Sequence, residues 1–187
     1  TISSRDERLE HFTALGVAVS RMCCEPLIEY GPKALEDHRK GLCTYDVEQV
    51  VLAIVVTTGI ASIFLTKDYT PDYNSGLAHA IFYAMTVYPV IEEKHLHGEV
   101  VGFGVLIALL ADQQYDEFEK IYRLNKAVHL PVSLDEIEIT EEEWEECMER
   151  IPDMSDVDHY PYRVTKEMLA DAMDKLKERV RKDNEEK

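Results

Sequence analysis

Sixteen consecutive residues, Val50 to Leu65 (VVLAIVVTTGIASIFL), carry no charge, and a run of this kind has to be hidden from water. It falls short of the roughly 20 apolar residues that span a bilayer, and Thr57, Thr58, Gly59 and Ser62 dilute it further. The expected structure is a fully buried central helix in a helical protein, and no membrane is expected as a partner.

The flanking segments repeat the helical theme. Leu9, Phe12, Leu15, Val19, Met22 and Cys23 recur at steps of three and four, the spacing of one helical stripe. Pro26 is expected to bend or restart that helix, Leu27 to Arg39 to continue it, and Lys40 with Gly41 to end it. Asp46 is a candidate N-cap for the next helix. The stretch Lys67–Ser75 (KDYTPDYNS) reads as a loop, with Asn74 or Ser75 capping a helix from Gly76 to about Val87 that Pro89 closes. A connector over Ile91–Leu96, a buried helix over Gly98–Gln113 and an amphipathic helix over Asp116–Val128 follow. From Ser133 to Asp158 there are twelve acids and one base, read as short surface helices with Trp144 docking on the core. Thr165 should cap a last helix that buries Leu169, Ala172, Met173 and Leu176. No hairpin turn joins alternating segments, so one all-α domain over residues 1–187 is the simplest architecture.

Twenty basic residues stand against 37 acidic ones, a formal charge of -17, which repels nucleic-acid phosphates and anionic lipid surfaces. Nucleic acid is therefore not expected as a partner. Cys23, Cys24, Cys43 and Cys147 form no CxxC pair, which fits reduced thiols in a cytoplasmic protein. A Thr in the first position, with no apolar leader after it, suggests a trimmed chain without a secretory signal.

Chemistry concentrates between Asn74 and Gly104. His79 lies early in one expected helix and His97 immediately before another, 18 residues later, so two helices can aim both imidazoles into one crevice. Imidazole suits zinc and ferrous iron. Spacing alone does not single the pair out, because seven histidines in a helical protein will offer such a pair by chance.

Two motifs single it out. Ser75-Gly-Leu-Ala-His79 and His97-Gly-Glu-Val-Val-Gly-Phe-Gly104 resemble the paired metal-ligand motifs of the iron-containing alcohol dehydrogenase superfamily, nearest its glycerol dehydrogenase branch. Leu27-Ile-Glu-Tyr-Gly-Pro-Lys-Ala-Leu35 and Val128-His-Leu-Pro-Val-Ser-Leu134 are similar to stretches at matching places. The resemblance implies the all-α, metal-binding half of the dehydroquinate synthase-like fold, with the nucleotide-binding N-terminal domain absent from this chain. It implies His79 and His97 as ligands of Zn or Fe(II), a small alcohol or polyol substrate, NAD(P) held by the absent domain, and a homo-oligomer. The carboxylate that completes the family's ligand set has no matching motif here, and Asp6 is the only acid near its place.

No Gly-rich turn follows a strand anywhere in the chain, so no dinucleotide fingerprint is present, and the chain alone is expected to be inactive. Phe82 stands where many glycerol dehydrogenases carry a second histidine, three residues after the first ligand. With Tyr83 it is a candidate to line the substrate cleft, and it leaves the identity of the substrate open. A helical assembly or partner-binding domain that keeps the fold without catalysis is the alternative. Phe82, Tyr83 and Phe103 are expected to form an exposed apolar patch.

Overall fold

A computed structural model describes residues 2–66 and 73–185. The described chain is helical and contains no strand among the described residues. It falls into two compact units, Thr1–Asn74 and Ser75–Lys187. The loop reading of Lys67–Ser75 lies mostly outside the described residues.

The first unit is a hairpin of α1 (His11–Arg39) against one continuous helix, Tyr45–Leu65. That helix consists of α2 (Tyr45–Leu52), a π-helical turn (Ala53–Thr57) and α3 (Thr58–Leu65). α1 begins at His11 rather than Arg5, and Pro26 and Pro32 both lie inside it without ending it. Each proline removes one backbone donor, a loss that the packed length of α1 absorbs. Gly41, at φ +71°, supplies the left-handed turn after the helix. Thr44, not Asp46, is the N-cap residue of α2. The Thr44 hydroxyl donates to the buried Asp37 carboxylate at 2.9 Å, and Lys33 pairs with the same carboxylate. These bonds close the hairpin and hold the Asp37 carboxyl below its usual range, chiefly through Lys33 and then Thr44.

Small residues line the closest approach of the two arms, and Leu65 and the stacked rings of Phe12 and Phe64 flank it. A Cβ on Gly16 would sit 2.9 Å from Leu65 and Phe64 side-chain atoms, and the buried positions are mainly Gly16, Ala34, Ala53, Ala61 and Leu65. The expectation of a fully buried central helix is overturned here. The most apolar window of Tyr45–Leu65 is 11% buried, and Val55 and Ile63 are 67% and 73% exposed. The periodicity of α1 misled in the same way, since Phe12, Leu15 and Met22 face outward. One partner helix can cover only one side of another, and the side it covers is the one with small residues. At 21 residues, with a mean hydropathy of 2.0 over its most apolar 18-residue window, the helix is by length and composition long and apolar enough to cross a membrane.

The second unit holds the large apolar core. α6 (His97–Ala111) is its axis, flanked by α4 (Leu77–Met85), α7 (Tyr115–Val128), α8 (Glu141–Arg150) and α9 (Lys166–Glu185). Leu77, Ile81, Met85, Phe103, Leu106, Ile107, Trp144 and Leu169 are essentially inaccessible to water. Pro89 opens the short helix α5 (Pro89–Lys94) instead of merely closing α4, as its fixed φ allows at a first turn. α8 docks on the core through Trp144 as expected, with Cys147 and Met148 also buried beneath its acidic face. Thr165 caps α9 as expected, its hydroxyl accepting from the Met168 N–H at 3.3 Å. Arg179 reaches across from α9 to hold both carboxylate oxygens of Glu119 on α7 at 3.0 Å.

One contact sets the spacing of α4 and α6. A Cβ built on Gly104 would lie 2.7 Å from the Ala78 carbonyl oxygen and 2.9 Å from its Cα, so the backbones meet with no room for a side chain. The two helices run antiparallel, with residue 104 meeting 78 while 97 meets 82. Replacing Gly104 by Ala forces rigid backbone apart, and overpacking of this kind costs about 1–3 kcal/mol. The expected result is a lowered thermal midpoint for Gly104→Ala and a larger loss for Gly104→Val, read by calorimetry. Unchanged midpoints for both would mean that the contact is not tight.

Candidate metal centre

His79 lies in the first turn of α4 and His97 is the first residue of α6. Ala78 and Gly104 bring α4 and α6 into backbone contact, and the imidazole centroids of His79 and His97 are 5.6 Å apart with planes inclined at 42°. Two imidazoles sharing one tetrahedral ion at about 2.0–2.1 Å place their centroids roughly 5 Å apart. The observed centroid separation is close to that value.

Aromatic rings frame the pair. Phe82 stands edge to face with His97, centroids 4.4 Å apart at 80°, and Tyr83 lies 6.4 Å from His79. Phe82 is half-buried against the core, while Tyr83 and His97 are exposed. The four residues singled out in the sequence therefore meet in one cluster. Phe103 does not join it: it is fully buried and packs edge to face on Trp144 at 6.5 Å. The expected exposed patch of Phe82, Tyr83 and Phe103 is corrected accordingly, because a residue six after His97 on α6 turns inward to the core.

Burial lowers the proton affinity of His79, and the neighbouring His97 lowers it further, while the Asp156 carboxylate opposes both. The neutral imidazole, which is the ligating form, is thereby favoured. The donor set is incomplete, since no group of three or more His, Cys, Asp or Glu side chains that could hold a metal ion occurs among the described residues. Asp6 is exposed in the turn that precedes α1. Two imidazoles suit zinc or ferrous iron by donor type, and no anionic third ligand stands with them among the described residues.

Several supporting residues were not foreseen. Glu99 accepts from the Leu96 N–H at 2.9 Å and so fixes the turn that carries His97; a Glu at the third helical position is a readable capping signal. His95 lies between Glu99 and Glu138, its nitrogens 3.7 and 3.6 Å from their oxygens. Asp156 and Tyr160 reach α4 from a turn some 80 residues away, and nothing local in the sequence announces them.

Comparison with known proteins returns glycerol dehydrogenases together with a hydroxycarboxylate dehydrogenase and a glycolaldehyde reductase, although no family model matches the chain. Over 134 residues it is 34% identical to the glycerol dehydrogenase of Thermotoga maritima, an alignment that covers 70% of this chain and 33% of that protein. The glycerol dehydrogenase structure from Schizosaccharomyces pombe superposes with a TM-score of 0.73 at 25% identity, covering 92% of this chain and 43% of that one. A probable glycerol dehydrogenase from Sinorhizobium meliloti gives a TM-score of 0.74 at 24% identity over 90% and 46% of the two chains. The chain thus spans between a third and a half of the length of the relatives it matches.

If the pair binds metal, His79→Ala or His97→Ala should weaken zinc binding at least tenfold, while Phe82→His should strengthen it by adding an imidazole beside His97. Competition with a chromophoric chelator reads both changes. Equal affinities across the three variants would contradict the assignment.

Proposed function

We propose, from the chain's homology to glycerol dehydrogenases of the iron-containing alcohol dehydrogenase superfamily, that it is the metal-holding half of an NAD(P)-dependent alcohol or polyol dehydrogenase. The observation that carries this reading is the convergence of His79 and His97, 5.6 Å apart, at two helix starts. Zn or Fe(II) held there would supply Lewis acidity to a substrate hydroxyl, whose carbon-bound hydride passes to a nicotinamide ring bound outside this chain.

The chain's own residues have defined parts in this scheme. His79 and His97 would hold the ion through one ring nitrogen each, adding no negative charge that cancels its own. Phe82 pins the His97 ring and keeps water from its face. Tyr83, at the open side of the cluster, is placed to touch the substrate. Because Phe82 is apolar, the cleft offers a polyol one fewer polar contact on this wall, which favours a less hydroxylated alcohol than glycerol.

The missing anionic ligand and the missing nucleotide site support the further reading that turnover needs polypeptide beyond these residues. Purified alone, the 187-residue chain should reduce no nicotinamide cofactor with glycerol or other small diols. Turnover by the pure chain would contradict this division of labour, and absence of turnover from the protein joined to a nucleotide-binding half would contradict the dehydrogenase reading.

We also propose a homo-oligomer, supported by the uncovered apolar face of Tyr45–Leu65, since monomer surfaces seldom leave such patches open. Val55→Glu and Ile63→Glu should shift light-scattering mass toward the monomer. An unchanged mass would move the contact elsewhere.

A further inference from the structure

The helix that carries His79 begins without the cap that its sequence advertises. Gly76 occupies the N-cap position and offers no side chain. Asn74 turns away to the Ser62 carbonyl and the Thr66 hydroxyl, at 3.2 and 2.6 Å. The backbone amides of His79 and Ala80 donate to the Gly76 carbonyl at 2.9 and 3.0 Å, and the first amide of the helix, that of Leu77, precedes any intrahelical acceptor and is met from outside.

It is met by a tyrosine 83 residues away. The Leu77 N–H donates to the Tyr160 hydroxyl oxygen at 3.2 Å. Tyr160 follows a short 3-10 turn, Ser155–Val157, that packs on α4. Its own amide donates to the Val157 carbonyl at 3.0 Å, and its ring stands edge to face with Tyr162, centroids 5.7 Å apart at 84°. The hydroxyl is therefore presented from a fixed ring, not from a swinging side chain. The same turn carries Asp156, whose carboxylate acts electrostatically on the His79 imidazole.

We propose that Tyr160 is a positioning residue of the histidine pair: its hydroxyl replaces the absent N-cap of α4 and fixes the first helical turn, and with it the direction of His79 toward His97. His79 lies two residues beyond the capped amide, so a frayed first turn would release its backbone from the Ala78–Gly104 contact. Groups that orient a ligand from behind typically account for 10–100-fold in metal affinity. The proposal rests on the reading of His79 as a metal ligand, and its test separates the two.

Zinc affinity is measured by chelator competition on the intact protein and on Tyr160→Phe, Tyr162→Phe and His79→Ala, with thermal midpoints and amide hydrogen exchange at residues 77–80 recorded without metal. Tyr160→Phe keeps the ring and removes only the acceptor. The expected result is about a tenfold loss of zinc affinity and faster exchange at Leu77, with little change in midpoint, while Tyr162→Phe binds as the parent does. Parent-like zinc affinity in Tyr160→Phe, alongside a His79→Ala variant that has lost zinc, would overturn the proposal and spare the ligand assignment. An equal loss in Tyr162→Phe would also overturn it, because the effect would then be general softening of the aromatic pair. Full zinc affinity in His79→Ala would overturn the ligand assignment, and Tyr160's role with it.

Discussion

The close approach of Gly104 to the Ala78 backbone is the constraint on which the second unit's geometry depends. A Cβ at 104 would lie 2.7 Å from a carbonyl oxygen, a distance that no side-chain rotation relieves. With hydrogen there instead, α4 and α6 lie near enough for side chains of both helices to share one surface cluster. His79 follows Ala78 directly and His97 precedes Gly104 by seven residues, two turns of helix. The separation of the imidazoles is thus set by backbone packing, and the glycine at the end of the His-Gly-Glu motif is as much part of the centre as the histidine at its start.

The two units solve the burial problem in opposite ways. The second encloses Trp144, Phe103 and a layer of Leu, Ile and Met side chains, enough apolar surface to support a core. The first closes a hairpin over glycine and alanine and leaves its large side chains outside. A formal charge of -17 opposes random clustering of such a surface, so a covering surface has to fit it specifically. That is the physical content of the assembly reading.

Much of the second unit was legible beforehand. α6 is the buried helix that its apolar run predicts, α7 and α9 follow their apolar periods, Thr165 caps α9 where its spacing predicts, and the two histidine motifs meet. The errors share one cause, which is that local patterns do not report which partner covers which face. Val50–Leu65 reads as buried because it is apolar, yet its packed side is the one bearing Ala53 and Ala61. Phe103 reads as a cleft residue because it adjoins the His97 motif, but its place on α6 points it to Trp144. Pro26 reads as a break, and a long packed helix tolerates it. The Tyr160 contact is invisible because it spans 83 residues of chain and replaces a cap that Asn74 and Ser75 seemed to supply.

The central claim is that His79 and His97 hold one ion between them. The most direct test is an anomalous difference map from zinc-loaded crystals of the intact protein. The account predicts one strong peak about 2.0–2.2 Å from a nitrogen of each imidazole, with Phe82 still against the His97 ring. Zinc bound at other residues, or imidazoles pointing to opposite faces with no peak between them, would contradict it.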